Sequence, residues 1–475
     1  MAAGDMDHPL RPSAAPSRGR HRRTGGAGSA VSRVVRLLAA LLLAPCLALA
    51  QPTRPFGAML GLQVKFAQGQ PLTDLPSLEE LGVRWVRDVV PWTEIEPTAG
   101  RYVAFSPKLK QRLAYYRQHD IGVVALLTLS NPTAYPATAS NPARSFDPAA
   151  FGRYAASVAQ MLRNEGVRFV IELGNEPHNS GLAKRLGGQW NGKPPSPWVD
   201  HYVRMVQAAV NEVKTFDPAV RLLSDDDMWV VHYWFLEAGL PRNLDGFAVH
   251  PYTPGIPERA AIAADTDWVR PFTAVDPDRT FTSAVRRLRD QGTAKFARTP
   301  EVWVTEWGWL VGTVTRSVSE ETLAAYLPRA YIVAAAAGVE VLCWFSAQDS
   351  VDGPMGLTDN NGRRRAGYQA YRTLARQLGD QSLLRQVAGA STPTAGVQAY
   401  LFQGKSRRTL VLWNVDAATK WLPVSASDAV DVAGRALTAE NTPSGRRGLR
   451  FGAGPIYVPG GWSDAEVAAA INGIE

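Results

Sequence analysis

The sequence predicts a (β/α)8 barrel followed by a small β-sandwich, and three observations carry that prediction. From residue 57 to about 378, short apolar runs alternate with longer amphipathic segments. The apolar runs number eight, the strand count of a closed barrel. Beyond about residue 380 the helical period stops, and short strands separated by turn residues take over.

The eight expected strands are "GAMLGLQV" (57–64), "VRWVRDVV" (83–90), "GVVALLTL" (122–129), "VRFVIEL" (167–173), "VRLLS" (220–224), "DGFAVH" (245–250), "EVWVTE" (301–306) and "VEVLCWF" (339–345). Helices fit between them. Residues 147–166 open with Asp147 and Pro148 and close at Gly166, and Phe151, Tyr154, Ala155, Val158 and Leu162 recur at helical spacing. Residues 198–216 show the same period. Residues 317–338 begin with a Ser317–Glu320 capping box, end at Gly338, and carry Pro328 as an expected kink. A doubly wound open sheet is the alternative, but "GLQVKFAQGQ" (61–70) lacks the glycine-rich phosphate turn such a sheet shows after its first strand. In the tail, "GVQAYLFQG" (396–404), "RRTLVLWNV" (407–415) and "LRFGAGPIYVPG" (449–460) are the expected strands. The domain division is therefore 1–50 leader, 51–379 barrel and 380–475 β-sandwich.

At 475 residues the chain is too long for one ordinary domain. Its +8 charge is uneven. Residues 1–50 hold seven Arg and two acids, a net of +5, which leaves +3 for residues 51–475. No basic patch interleaved with aromatics remains, so a nucleic-acid partner is excluded. Arg33 and Arg36 precede the apolar run 37–50, which ends in "ALA" before Gln51. This reads as an export signal of a periplasmic or secreted protein, with an uncleaved membrane anchor as the alternative. Pro45 before Cys46 fits a lipoprotein signal poorly. After cleavage Cys343 is the sole thiol, so no intrachain disulfide is expected and a buried, inert Cys is.

Functional side chains of such barrels sit at the C-terminal ends of the strands. There the sequence places Arg87, Asp88 and Trp92, then Asn175 and Glu176, then Asp225, Asp226 and Asp227, then His250 and Tyr252, then Glu306, Trp307 and Trp309, and finally Trp344, Gln348 and Asp349. Glutamates on strands four and seven face one another across the mouth. Such a pair suits glycosidic cleavage, with one carboxyl protonating the leaving oxygen and the other attacking the anomeric carbon.

"ELGNEPHN" (172–179) and "VTEWGW" (304–309) resemble the acid/base and nucleophile strand ends of the clan A glycoside hydrolases. With "VHPYT" (249–253) and "GLTDNNGRRRAGYQAYRTL" (356–374), the barrel resembles glycoside hydrolase family 39, in particular the exopolysaccharide endoglycosidases of biofilm loci of the Psl type. The resemblance implies that Glu176 is the general acid/base and Glu306 the nucleophile. It implies that Asn175 bonds the sugar 2-hydroxyl and that Arg87 lies beneath the nucleophile and keeps it ionised. His250 and Tyr252 would orient the nucleophile or line the sugar site, and Trp344 would be the platform under the sugar. Trp92, Trp190 and Trp309 are further platform candidates. One position departs from the family. Gly174 stands where Trp commonly precedes Asn-Glu-Pro.

Each residue also has a structural reading. Arg87 could serve a core ion pair with Asp88 or Glu94, and the Trp rings could be packing. "DDDMWVVH" (225–232) invites a metal, but adjacent strand residues alternate in direction, and an N-cap at Asp226 or Asp227 is the simpler expectation. No metal and no cofactor is expected. The expectation is a monomeric retaining hydrolase of a polysaccharide, with loops 130–147 and 178–198 walling its groove and Lys184 and Arg185 available to an acidic chain. The alternatives are another clan A specificity (glucan, mannan or xylan) and a catalytically silent polysaccharide-binding or assembly protein.

Overall fold

A computed structural model describes residues 54–179, 181–186, 196–227, 229–259, 279–296, 298–388, 396–424 and 428–475. The expected leader, with Arg33, Arg36, the run 37–50 and Cys46, lies outside the described residues, as do Trp190 and part of loop 178–198. Thr53–Glu475 forms one compact unit.

Eight parallel strands close in sequence order: β1 (Leu60–Gln63), β2 (Trp85–Val90), β3 (Gly122–Leu127), β4 (Phe169–Leu173), β5 (Leu222–Asp226), β6 (Gly246–Val249), β7 (Glu301–Trp307) and β8 (Leu342–Trp344). The last strand pairs back with the first, Leu62 opposite Trp344. All eight apolar runs are strands, because a parallel strand covered on both faces must be apolar nearly throughout. Helix Pro148–Glu165 starts where the Asp147 carboxylate accepts the Ala150 N–H and ends at Gly166. Its apolar stripe is buried against the barrel and helix Pro197–Phe216. Helix Glu320–Ala336 departs from expectation at its start. Ser319, not Ser317, caps it by accepting the Thr322 N–H, while Ser317 donates to the Gly312 carbonyl at 2.6 Å. Pro328 lies within this helix.

Side chains inside the barrel stack by the two-residue period of the strands. One inward layer is apolar: Trp85, Val124, Val170, Leu223, Ala248, Trp303, Val341 and Cys343 form a cluster of their own. Burial pushes the Cys343 thiol well up, so this buried Cys is inert, as expected. Two residues further along the same strands stand Arg87, Leu126, Glu172, Asp225, His250, Thr305 and Phe345. Apart from Leu126 and Phe345, this next layer is polar.

The tail folds as a four-stranded antiparallel sheet and a three-stranded one. The first has the order β15 (Ile456–Gly460), β11 (Arg408–Asn414), β10 (Val397–Gln403), β9 (Ser382–Ala388). The second has the order β12 (Lys420–Leu422), β14 (Arg447–Phe451), β13 (Glu440–Asn441). Leu401, Leu410, Leu412, Leu449, Phe451 and Val458 share its core. Arg329 ties tail to barrel. It grips Glu258 at 2.8 and 2.6 Å, and Trp413 of β11 donates to the same carboxylate at 2.7 Å.

Close strand contact demands glycine at residue 246, where an added Cβ would lie 2.3 Å from the Glu301 carbonyl oxygen of β7. Gly246→Ala is expected to destabilise the fold by about 1–3 kcal/mol, read as a lower urea midpoint at an unchanged slope.

Candidate active site

Arg87 of β2 is fully buried at the centre of the polar layer. Its Nε and Nη2 donate to Glu172 at 2.6 and 3.0 Å, and Nη1 donates to Glu306 and, at 3.1 Å, to Gln63. Nη2 also donates to Asn175 Oδ1 at 2.7 Å. The Asn175 amide oxygen is thereby taken, and its N–H bonds are left to donate elsewhere. Neither structural partner considered for Arg87 is used. Asp88 instead pairs with Arg112 at 2.8 Å. Burial pushes the Glu172 carboxyl up, but the charge and hydrogen bonds of Arg87, with His250 Nε2 3.7 Å away, outweigh it and bring it down to about 2.

Glu306 reaches this layer through an irregularity in β7. Val304 pairs with Leu342 and Trp307 with Trp344, so β7 has one more residue than β8 between those pairs. Strict alternation would turn Thr305 and Glu306 to opposite faces. The bulge lets both serve the interior. Thr305 Oγ1 donates to Glu172 at 2.8 Å, and Glu306 takes Arg87 on one oxygen and the Tyr252 hydroxyl, at 2.8 Å, on the other.

Glu176 comes from the opposite wall. Its backbone is left-handed, with φ 42°, and its N–H donates to Asp225 Oδ1 at 2.5 Å. Asn179 donates to its Oε2 at 3.1 Å, and His250 Nδ1 lies 2.9 Å from its Oε1. His250 Nε2 lies 3.0 Å from both Thr305 Oγ1 and Asp225 Oδ2. The Thr305 proton is committed to Glu172, so Nε2 must donate, and the Glu176 carboxylate requires Nδ1 to donate as well. His250 is therefore an imidazolium. Burial opposes that charge, but Asp225 and Glu306 overcome it and raise its pKa well above the usual 6.5. Burial likewise pushes Glu176 up. The hydrogen bond and charge of His250 and the hydrogen bond of Asn179 prevail, and its carboxyl falls to about 2. Oxygens of Glu176 and Glu306 lie within 4.8 Å of one another.

The structure gathers Arg87, Asn175, Glu176, His250, Tyr252 and Glu306 around this gap, and it places the expected indoles elsewhere. Trp344 is fully buried with its ring 5.8 Å from that of Trp309. The reason is parity, since Cys343 faces the interior and Trp344 must face the helices. Trp309 is buried and donates to the Gly255 carbonyl at 3.1 Å. Trp92 is fully buried, stacked on Tyr154 at 5.2 Å and bonded to Glu96 at 2.7 Å. None of the three offers a face to a sugar. The ring at the mouth is Phe345, 6.2 Å edge-on from Tyr252 with Lys65 Nζ 3.9 Å from its centre. Sequence reasoning also missed Glu172, Gln63 and Thr305, and it named Asp225 at a strand end without giving it a part in the site. The signal for Glu172 was present, as an acid inside the apolar run "VRFVIEL".

Gly174 has φ 100°, and a Cβ there would sit 2.4–2.9 Å from the Leu129 side chain. Leucine occupies the space a larger residue would need. Asp225 and Asp226 point to opposite sides as strand alternation requires, and Asp227 lies just past the strand end. Asp225 serves Glu176 and His250, while the Asp226 carboxylate lies 2.9 Å from His178 Nδ1 and Asp227 lies 3.3 Å from its Nε2. Asp226 is the last residue of β5, and its carboxylate is engaged by His178. Among the described residues three groups have the spacing to hold a metal ion: Glu172–Asp225–His250, Glu176–His250–Glu306 and His178–Asp226–Asp227.

No protein-family model matches the sequence, and no curated protein matches it. Solved structures do. The chain is similar to a family 39 glycoside hydrolase from the gut symbiont Bacteroides cellulosilyticus WH2, at 18% identity over 85% of this chain and 81% of that one, with a TM-score of 0.66. It is similar to a GH30 endoxylanase from Clostridium papyrosolvens C71, at 14% identity over 86% and 97%, with a TM-score of 0.53. It is also similar to the GH39 enzyme from Xanthomonas axonopodis pv. citri, at 15% identity over 86% and 94%, with a TM-score of 0.50. At these identities the likeness establishes the fold, a (β/α)8 barrel with an appended β-domain.

Proposed function

We propose that the chain is a retaining glycoside hydrolase, with Glu306 as nucleophile and Glu176 as general acid/base. The observation that carries this is the gap of at most 4.8 Å between their oxygens. Retaining cleavage needs carboxyl groups about 5–5.5 Å apart, whereas inversion needs roughly 6.5–9.5 Å to admit a water. In the first step Glu306 attacks the anomeric carbon, the bond to the leaving oxygen breaks, and that oxygen takes a proton from Glu176. In the second, water attacks the same carbon, Glu176 accepts its proton, and the ester to Glu306 breaks. Arg87 and Tyr252 hold one Glu306 oxygen each, which fixes the carboxylate for attack.

The first step needs a protonated Glu176, yet the free site holds it as a carboxylate. Its proton is close at hand, on His250 Nδ1 at 2.9 Å. A sugar seated over the pair would exclude water and favour the neutral carboxyl over the ion. His250 and Glu176 then act as one acid sharing a proton.

A polysaccharide substrate, of the bacterial exopolysaccharide class, follows from the motif resemblance, and endo cleavage follows with it. The apolar run 37–50 and its "ALA" terminus support export to the periplasm or beyond. The chemistry calls for no cofactor.

Glu306→Gln is expected to lower hydrolysis of an active polysaccharide by at least about a thousandfold, and proton NMR of the wild-type reaction should show first product with retained anomeric configuration. Inverted product would sink the mechanism, and glycan binding without turnover in the wild type would favour a silent binding protein. His250→Gln should move the basic limb of the kcat/KM profile to lower pH. In the native pair, activity is lost as pH rises through the raised His250 pKa, and in the variant the proton rests on a carboxyl alone. An unmoved limb would show that His250 does not share the catalytic proton.

A further inference from the structure

The opposite end of the barrel carries an unassigned cluster of arginines. Below the apolar layer, the inward positions of β4 and β5 continue to Arg168 and Arg221. Arg168 stacks 4.2 Å from the Trp85 ring, and Arg221 lies 5.1 Å from Trp303. Trp85 and Trp303 meet edge to face at 5.0 Å and close the barrel floor. With Arg54 and Arg84 these residues line a cavity of about 500 Å³, whose acids are Asp120 and Glu340. That volume lies within the range of small-molecule sites.

The cations are not fully used. Arg54 is engaged by Glu340 at 2.9 Å. Arg168 meets Asp120 only at 3.9 Å and otherwise bonds backbone carbonyls. Glu301 is drawn to Trp303 Nε1 at 2.7 Å and reaches Arg221 only at 3.4 Å. The Arg84 side chain makes no hydrogen bond among the described residues. Burial lowers the Arg54 and Arg168 pKa values, and the neighbouring Arg221 charge lowers both further, so the cluster is held together against its own repulsion.

We propose that this cavity binds a phosphate-class oxyanion. Planar guanidinium forks with donors to spare match such a group, and two or more negative charges would relieve the repulsion. The inference is independent of the hydrolase reading, since the apolar layer separates this cavity from Glu176 and Glu306.

The test is calorimetric titration of the full chain with pyrophosphate. Saturable binding is expected, weakened at least about tenfold in Arg84→Gln/Arg221→Gln. Arg84→Glu alone provides a variant that breaks no side-chain bond of the fold, and it should weaken binding too. Absence of saturable binding, or an unchanged Kd in Arg84→Glu, overturns the proposal. Glycerol phosphate and dihexanoyl phosphatidate, the latter below its micelle concentration, separate the sources. Equal competition supports a dissolved phosphate ester, and tighter competition by the lipid supports a headgroup.

Discussion

The Arg87 guanidinium is buried between two carboxylates, Glu172 and Glu306, and the rest of the mouth is arranged around that contact. Removing a charge from water costs several kcal/mol unless good geometry and further hydrogen bonds offset it. Here both are present. Glu172 takes two donors from Arg87 and one from Thr305, and Gln63 and Asn175 take the remaining N–H directions. The consequence is rigidity. Asn175 and Glu306 come from different strands, and one planar cation orients both. The wider cluster sets two cations, Arg87 and His250, against the carboxylates Glu172, Glu176 and Glu306, while burial pushes the Asp225 carboxyl well above its usual range. An excess of acid suits a transition state with oxocarbenium character.

Much of this was legible in the sequence because it follows from period two. The eight strands read as apolar runs, and the two glutamates read as strand ends. The supporting layer could have been read by the same rule. Trp85, Val170, Leu223, Ala248 and Trp303 share one layer, and two residues on stand Arg87, Glu172, Asp225, His250 and Thr305. The Trp344 platform expectation failed on that rule as well, because an interior Cys343 puts Phe345, not Trp344, inside. What no pattern in the sequence announces is the extra residue in β7. Alternation alone would turn Glu306 away from Arg87, and only the pairing with β8 shows that it does not.

The turn after β4 is where backbone geometry does what side-chain choice cannot. Gly174 and Glu176 both have positive φ within three residues, and at Glu176 that conformation is costly for a residue with a Cβ. Asp225 holds it by accepting the Glu176 N–H, and His250 holds the carboxylate beyond. A Trp at residue 174 would need both a positive φ and the volume taken by Leu129. The glycine is thus a consequence of how this mouth is packed, and it leaves the pairing of Glu176 with Glu306 intact.

One alternation rule also explains why the barrel can carry opposite charges at its two ends. From Arg168 through Val170 to Glu172, and from Arg221 through Leu223 to Asp225, each strand passes from cation to apolar residue to acid. Four residues of strand span roughly 13 Å, and the layer between is filled with Trp, Val, Leu, Ala and Cys side chains. Without that plug the arginines would fall towards the carboxylates and collapse both sites into ion pairs. With it, Glu172, Glu176 and Glu306 at the C-terminal mouth draw their countercharge from Arg87 and His250. The arginines at the other end are left short of acid. The same apolar layer that fixes the fold therefore creates the charge imbalance at each mouth.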